Sequence, residues 1–144
     1  MKLKFIKKWI NLFAHKSNYF QQPNRHASAH IFLDGTGYAY KSVPLSRVAW
    51  SVGGFYKQTD GAGSFYKKAT NANTLNIELC NSVDKVPDKV YKEAVELTRY
   101  YMKKYNISAS HVIRHWDVNG KDCPDPWIGK NNKMWKQFKK DIAA

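Results

Sequence analysis

The feature that most limits the possible folds is a change of hydrophobic period in the middle of the chain. Residues 74–80, TLNIELC, alternate polar and apolar side chains over the first six positions, as a half-buried β-strand does. From Val90 to Tyr101, apolar residues recur at the helical spacing i, i+4, i+7 and i+11. Pro87 and Asn106 provide start and stop signals for that helix. A strand and a helix so close together predict a mixed α/β or α+β domain.

Turn residues and short apolar runs divide the rest of the chain. Asp34-Gly35-Thr36-Gly37 separates two such runs, which predicts a β-hairpin. The predicted segments are a first hairpin strand over 27–33, a return strand over 38–43, a long surface loop over 53–73, a strand over 112–115, a loop over 117–126 and a last helix from about residue 131. The expected fold class is therefore α/β, with a mixed central β-sheet flanked by helices.

The first sixteen residues, MKLKFIKKWINLFAHK, are both basic and apolar. Their apolar side chains lie at helical spacing with lysines between them, which predicts an amphipathic helix over 1–16. Packing on the domain is favoured over contact with a membrane. No small-residue cleavage site follows, so a signal peptide is not predicted. Residues 17–144 are expected to form the single compact domain.

The chain carries 24 Lys and Arg against 11 Asp and Glu, a formal net charge of +13. A charge this high indicates a polyanionic neighbour or a strongly solvated surface. The basic residues are scattered in pairs, and no recognisable nucleic-acid-binding motif organises them. An anionic cell wall or membrane would attract them as well, so specific binding of nucleic acid is not predicted.

The segment with the most chemical information is RHWDVNGKDCPDPW, over residues 114–127. His115 and Cys123 stand eight residues apart with Gly120 between them, so a loop can bring both to one metal. Imidazole and thiolate are good zinc ligands, but a catalytic zinc needs three protein ligands and an open position for water. Two cysteines in a chain of this size do not make a disulfide framework, so Cys123 is expected as a thiolate and Cys80 as a buried strand residue.

This segment resembles the closing motif of the type 2 N-acetylmuramoyl-L-alanine amidases, zinc enzymes found in phage endolysins and related to peptidoglycan recognition proteins. Residues 17–54 resemble the central hairpin of that family and the Ala-Trp turn after it, and NTLNIELC, over 73–80, resembles its next strand. The resemblance covers roughly residues 17–127 in the order of the family. It implies an amidase-like fold for the domain over 17–144.

The resemblance also implies a role for several side chains. His115 and Cys123 would bind Zn²⁺, and Lys121 would stabilise negative charge on the attacked amide oxygen. Glu78 would assist the water or the proton transfer to the leaving amine. The expected substrate contacts are Tyr38 or Tyr40, Trp50 and His30.

The chain departs from the family at the first zinc ligand. Relatives begin with an apolar strand that ends in a His-x-Thr type motif, whereas the first fourteen residues here contain no histidine. Three explanations are open: a truncated or divergent product that no longer hydrolyses its substrate, a ligand supplied by a second chain, or a ligand supplied by one of the remaining histidines. Those histidines are His15, His26, His30 and His111, of which His30 is the first, though weak, candidate. Ser51 follows Trp50 here, at a position where relatives commonly have a histidine.

Three functions follow from these patterns. The first is a cell-wall hydrolase that cleaves the amide between N-acetylmuramic acid and L-alanine. The second is a peptidoglycan-binding relative with an incomplete zinc site, and the third and weakest is a nucleic-acid-binding protein. The expected partners are bacterial peptidoglycan and anionic wall polymers, and the expected state is a monomer. We expect synthesis in the cytoplasm, release by lysis or another export route, and action at the bacterial cell wall.

Overall fold

The computed structural model describes residues 26–57, 61–81 and 84–144. The amphipathic helix predicted over 1–16 lies outside these residues, and the boundary at residue 17 stays a prediction. The strands are β1 (Ile31–Leu33), β2 (Ala39–Lys41) and β3 (Ile77–Leu79), and the helices are α1 (Asp88–Tyr105), α2 (His115–Asn119) and α3 (Lys133–Ala143). In the part of the chain so described, no helix is long and apolar enough to cross a bilayer.

The three strands form a mixed sheet in the order β2-β1-β3. Strand β1 pairs antiparallel with β2, with Phe32 opposite Tyr40, and parallel with β3, with Phe32 opposite Glu78. A parallel pair of strands needs a long connection between them, and residues 42–76 are part of that connection here. Several of these residues border the candidate active site described below. The mixed sheet agrees with the α/β prediction, although each strand is shorter than its apolar run.

The predicted hairpin turn is confirmed, and the Asp34 carboxylate organises it. This carboxylate accepts hydrogen bonds from the Thr36 backbone N–H at 2.8 Å, the Thr36 hydroxyl at 2.6 Å and the Tyr40 hydroxyl at 2.9 Å. Gly37 adopts φ 86°, where a Cβ would lie 2.9 Å from the Lys89 carbonyl oxygen. Glycine is therefore needed at the point where the turn meets α1.

Helix α1 covers the sheet and confirms the helical pattern in the sequence. Its buried face contains Val90, Ala94, Leu97 and Tyr101. Asn106 adopts a left-handed conformation and donates its N–H to the Met102 carbonyl, as the predicted C-terminal cap requires. The core joins this face to β1, α3 and a tryptophan, through Ile31, Leu33, Trp127, Phe138 and Ile142.

Two predictions for the closing segment are wrong. Residues 112–115 form no strand, and His115 is instead the first residue of α2. The predicted loop over 117–126 contains the rest of α2 and a 3-10 helix at Asp125–Trp127. The two prolines do not prevent this 3-10 helix, because they lie at its start, where a missing N–H is tolerated.

Candidate active site

A buried ion pair fixes the start of α2 and so the backbone on which His115 stands. Arg114 and Asp117 are only 5% and 9% exposed. The Asp117 carboxylate accepts from the Arg114 backbone N–H at 2.8 Å, from its Nε at 2.9 Å and from its Nη2 at 2.7 Å. The guanidinium also donates to the carbonyls of Trp127 and Gly129 and lies over the Trp116 ring. This network holds the residues on both sides of His115 in one place.

The loop after α2 returns to the start of that helix. The Trp116 N–H donates to the Cys123 carbonyl at 3.1 Å, and the Cys123 N–H donates to the Lys121 carbonyl at 2.7 Å. Cys123 is therefore brought next to the turn that carries His115, as the spacing of the two residues predicted. Neither Cys80 nor Cys123 is in a disulfide bond, and both are half-buried. Cys80 follows β3 rather than lying within it.

The His115 ring is oriented by a backbone carbonyl from a distant loop. Its Nε2 lies 3.1 Å from the Gly53 carbonyl oxygen, which also accepts from Asn119 Nδ2 at 3.1 Å. Because a carbonyl can only accept, Nε2 carries the proton and Nδ1 keeps its lone pair. A backbone carbonyl that accepts from one ring nitrogen fixes the tautomer of metal-binding histidines in the same way.

Electrostatics favour the neutral form of His115. Burial lowers the pKa of its imidazole, the nearby Lys121 ammonium lowers it further, and the hydrogen bond to the Gly53 carbonyl acts in the opposite direction. A neutral imidazole is the form that binds a metal. Lys121 is exposed, and its charge acts on the His115 imidazole.

Two further contacts tie the loop around Gly53 to the closing segment. The Lys57 N–H donates to the Asn119 carbonyl at 2.7 Å, and the Lys57 ammonium pairs with the Asp122 carboxylate at 3.0 Å. The loop therefore contacts α2 through backbone hydrogen bonds, and an exposed ion pair adds to them at the surface.

Gly120 makes this close packing possible, which gives a testable prediction. Its φ is 79°, and a Cβ there would lie 2.1 Å from the Lys57 carbonyl oxygen, whereas Gly129 has φ 90° and open space around it. We expect Gly120→Ala to lower the free energy of unfolding by about 3 kcal/mol, and Gly129→Ala by only about 1 kcal/mol. Urea denaturation measures both. Equal losses would show that the contact with Lys57 is not tight.

Three of the predicted site residues lie around one cavity. Glu78, His115 and Cys123 all line a cavity of about 780 Å³. Most of its other walls are apolar and come from β3, α1, α3 and the segment before α2. A carboxylate, an imidazole and a thiol thus line one largely apolar recess, where charged groups interact more strongly than in water.

Other predicted residues lie apart from this group. His30 is buried, with Nε2 2.9 Å from the Arg47 carbonyl and Nδ1 accepting from the Asn76 N–H at 3.3 Å, so both ring nitrogens are engaged in the fold. Tyr38 is 65% exposed at the hairpin. Trp50 is 55% exposed with its ring near that of His26, and it directly precedes Ser51 and Val52, which line the cavity.

The residues that the structure describes do not by themselves complete a zinc site. Within residues 26–57, 61–81 and 84–144, no three His, Cys, Asp or Glu side chains converge so that they could hold a metal. His111, another candidate, is exposed on a 3-10 helix, where its Nδ1 lies 2.7 Å from the Ser108 hydroxyl. His115 and Cys123 thus stand as two donors of suitable chemistry, one fewer than a catalytic zinc requires.

The residues that orient His115 and hold its helix were not predicted from the sequence. Gly53 was assigned only a turn, and Asp117 and Asn119 were placed in a loop. The Gly53 carbonyl nevertheless accepts from His115 and from the Asn119 amide, and the Asp117 carboxylate anchors the start of the helix. The Gly53-Gly54 pair and the Asn119-Gly120 pair were visible signals of close backbone approach, but neither shows which carbonyl would face the imidazole.

Comparison with known proteins gives a consistent result. The model of the N-acetylmuramoyl-L-alanine amidase family matches residues 6–126. A probable N-acetylmuramoyl-L-alanine amidase of Bacillus licheniformis is 33% identical over 132 residues, covering 88% of this chain and 36% of that protein. The N-acetylmuramoyl-L-alanine amidase BlyA of Bacillus subtilis strain 168 is 31% identical over 137 residues, covering 88% of this chain and 36% of BlyA. The chain thus spans about a third of the length of these relatives.

Solved structures agree with the sequence comparison. PlyL superposes with a TM-score of 0.66 at 27% identity, covering 88% of this chain and 72% of PlyL. A mutant endolysin from Bacillus subtilis gives a TM-score of 0.63 at 29% identity, covering 88% of this chain and 71% of that chain. Because the family model matches most of the length of this chain, the chain belongs to the N-acetylmuramoyl-L-alanine amidase family.

Proposed function

We propose that this protein hydrolyses the amide bond between N-acetylmuramic acid and L-alanine in bacterial peptidoglycan. The observation that carries the proposal is that Glu78, His115 and Cys123 line one cavity in a chain of this family. The names of the relatives support the same reaction for those proteins. Action at the bacterial cell wall, after synthesis in the cytoplasm and release by lysis or another export route, belongs to this proposal.

Zinc is the proposed cofactor, and a zinc ion would act as a Lewis acid that makes water nucleophilic near neutral pH. His115 offers Nδ1 and Cys123 its thiolate toward such an ion. In our proposal Glu78, which lines the same cavity, receives and delivers protons. The Lys121 ammonium stabilises negative charge on the carbonyl oxygen of the scissile amide.

Removal of the Lys121 charge gives a testable prediction. We expect Lys121→Gln to lower kcat by about 100-fold, the loss typical when a group that stabilises an oxyanion is removed. The same change should raise the pKa of His115 toward its ordinary value, because the Lys121 charge lowers it. Lys130→Gln is the matched control, since it removes one charge from another exposed lysine. Equal activity of the two variants would contradict the role of Lys121.

The reaction itself is tested with purified Gram-positive peptidoglycan and the full chain in excess zinc. We expect new L-alanine amino termini to accumulate with time, and end-group labelling followed by mass spectrometry measures them. New amino termini on other residues, or new reducing sugar ends, would reject amidase activity at this bond.

A second candidate is a protein that binds peptidoglycan without cutting it. The observation that favours it is the pair of metal donors without a third among the described residues. Sedimentation with insoluble peptidoglycan separates the two, because binding without release of L-alanine amino termini supports this candidate. Anionic wall polymers would add to the attraction of a chain with +13 charge, and salt should weaken that part of the binding.

A further inference from the structure

The outward face of α3 presents three lysines in a row. Helix α3 buries Phe138 and Ile142 in the core. At 3.6 residues per turn, Lys133, Lys136 and Lys140 recur on the side of the helix opposite to these two residues, and all three are exposed. The three positions span about 10 Å at about 1.5 Å per residue. These three residues are called the lysine row below.

The described residues provide no carboxylate that neutralises the lysine row. The carboxylate of Asp141, the acidic residue of α3, accepts hydrogen bonds from Tyr91 and Gln137. In the part of the chain that the structure describes, neither of the two ion pairs involves α3. Residues 1–25 contain no aspartate or glutamate but six Lys and Arg, so they add positive charge to the molecule. The row is therefore a concentrated patch of positive charge.

The stability of α3 does not explain the position of these lysines. The N-terminal end of a helix carries partial positive charge, which makes cations there unfavourable. Lys133 is the first residue of α3 and Lys136 lies in its first turn, which contains no acidic residue. Lys140, in the last turn, is the member of the row that the helix dipole favours. Residues that oppose the local stability of an element commonly serve binding or catalysis.

The surroundings of the lysine row favour a flexible phosphate polymer over a membrane or a nucleic acid. A helix that lies on a membrane turns its apolar face to the lipid, whereas the apolar face of α3 is buried in the core. Proteins that bind single-stranded nucleic acid add aromatic rings on which bases stack. The rings of α3 belong to Trp135 and Phe138, which pack in or against the core. Lysine ammonium groups alone are sufficient to bind phosphates as point charges.

We propose that the lysine row binds the phosphate groups of a linear polyol phosphate of the cell wall. The inference rests on the proposed action at the bacterial cell wall, which brings such polymers next to the protein. Trp135 and Phe138 line the cavity beside His115 from the inner side of α3, so a polymer on the outer side lies away from that cavity. Attachment to the wall and hydrolysis therefore use separate faces of the domain.

Sedimentation of the full chain with isolated Gram-positive cell walls tests the inference. It is measured at low salt with native walls and with walls from which hydrofluoric acid has removed phosphodiester-linked polymers. We expect the unmodified chain to bind native walls about tenfold or more tightly than stripped walls. The triple variant Lys133→Gln, Lys136→Gln and Lys140→Gln should bind native walls about tenfold or more weakly than the unmodified chain, because it loses three contacts with phosphate.

A second triple variant separates the position of the charges from their number. Lys67→Gln, Lys89→Gln and Lys103→Gln remove the same charge from three exposed lysines outside α3, and together they should weaken binding by less than about threefold. Replacement of the lysine row by arginines keeps its charge and should preserve binding. Glutamines in the row should not lower the melting temperature, because two of them replace cations near the start of the helix.

Several results would overturn the inference. Equal losses in the two glutamine variants would show that net charge alone attracts the wall, and equal binding to native and stripped walls would reject the phosphate polymer. A larger effect of the row on binding of duplex DNA or anionic phospholipid vesicles than on wall binding would assign it to those partners.

The same preparations separate this inference from the proposed function. Release of L-alanine amino termini from stripped walls should be equal for the unmodified chain and for the row variant, because the row lies away from the cavity. Failure of both to release amino termini, with binding to native walls still dependent on the lysine row, would reject the proposed function and leave this inference standing.

Discussion

Asp117→Ala is expected to lower the free energy of unfolding by about 3–5 kcal/mol, the cost of leaving one partner of a buried ion pair without the other. The Arg114 guanidinium is almost fully buried and makes two hydrogen bonds to the Asp117 carboxylate, at 2.9 and 2.7 Å. Without that carboxylate, a buried cation remains among Trp116, Trp127 and Trp135 with only carbonyl partners. Urea denaturation of the full chain measures the loss.

Asp122→Ala is the matched control, because it breaks the other ion pair formed by an aspartate of the same segment. The Lys57 and Asp122 side chains are 62% and 47% exposed, so their pair should contribute less than about 1 kcal/mol. Similar losses for the two variants would mean that Asp117 does not act through the buried guanidinium. Since His115 lies between Arg114 and Asp117, the Asp117 variant should also lose hydrolysis.

Cys123→Ala is expected to reduce the release of L-alanine amino termini from peptidoglycan by more than about 1,000-fold, as removal of one member of a catalytic unit does. Cys123 lines the cavity with Glu78 and His115, and its backbone is held at the start of α2 by the Trp116 N–H. The substitution removes only a thiol from a half-buried position, so folding should be preserved. Labelling of the new amino termini measures activity, and circular dichroism of the same sample checks that the variant is folded.

Cys80→Ala provides the comparison, because Cys80 is also half-buried and in no disulfide bond but does not line the cavity. It should retain nearly full activity. Substantial hydrolysis by the Cys123 variant would remove the thiolate from the proposed mechanism. Loss of activity in both variants would indicate that thiol removal acts through stability.

Local periodicity was enough to predict the largest helix. Val90, Ala94, Leu97 and Tyr101 lie on one face, and the structure buries that face and ends the helix at Asn106. The hairpin was predictable for a similar reason, because Asp34 to Gly37 contain their own turn chemistry. In both cases the information lies within a few residues of the element that it determines.

The closing segment was harder because its conformation depends on distant partners. Residues 112–114 have the β-branched composition of a strand, but a strand also needs a neighbour to pair with. The helix that follows depends on the Arg114 contact with Asp117 and on carbonyls near Trp127. Proline content suggested a loop, while the positions of these prolines allowed a short helix.

The candidate site was predictable in its chemistry but not in its arrangement. His115, Cys123 and Lys121 were identified from one motif, and Glu78 from the resemblance to the amidase family, whereas the roles of all four stay proposals. The orientation of the imidazole could not be read from the motif, because it comes from Gly53, more than sixty residues earlier.

The hydrogen bond between Gly53 and His115 therefore bears on the order in which parts of the chain fold. The two residues are 62 positions apart, so their contact closes a long loop and should form late relative to helix α1. The loop at 53–57 is exposed and is held mainly by backbone contacts and one surface ion pair. Local opening of this loop would free the imidazole to rotate while the core stays folded. The orientation of the His115 imidazole is thus a property that the folded chain can lose and regain without unfolding.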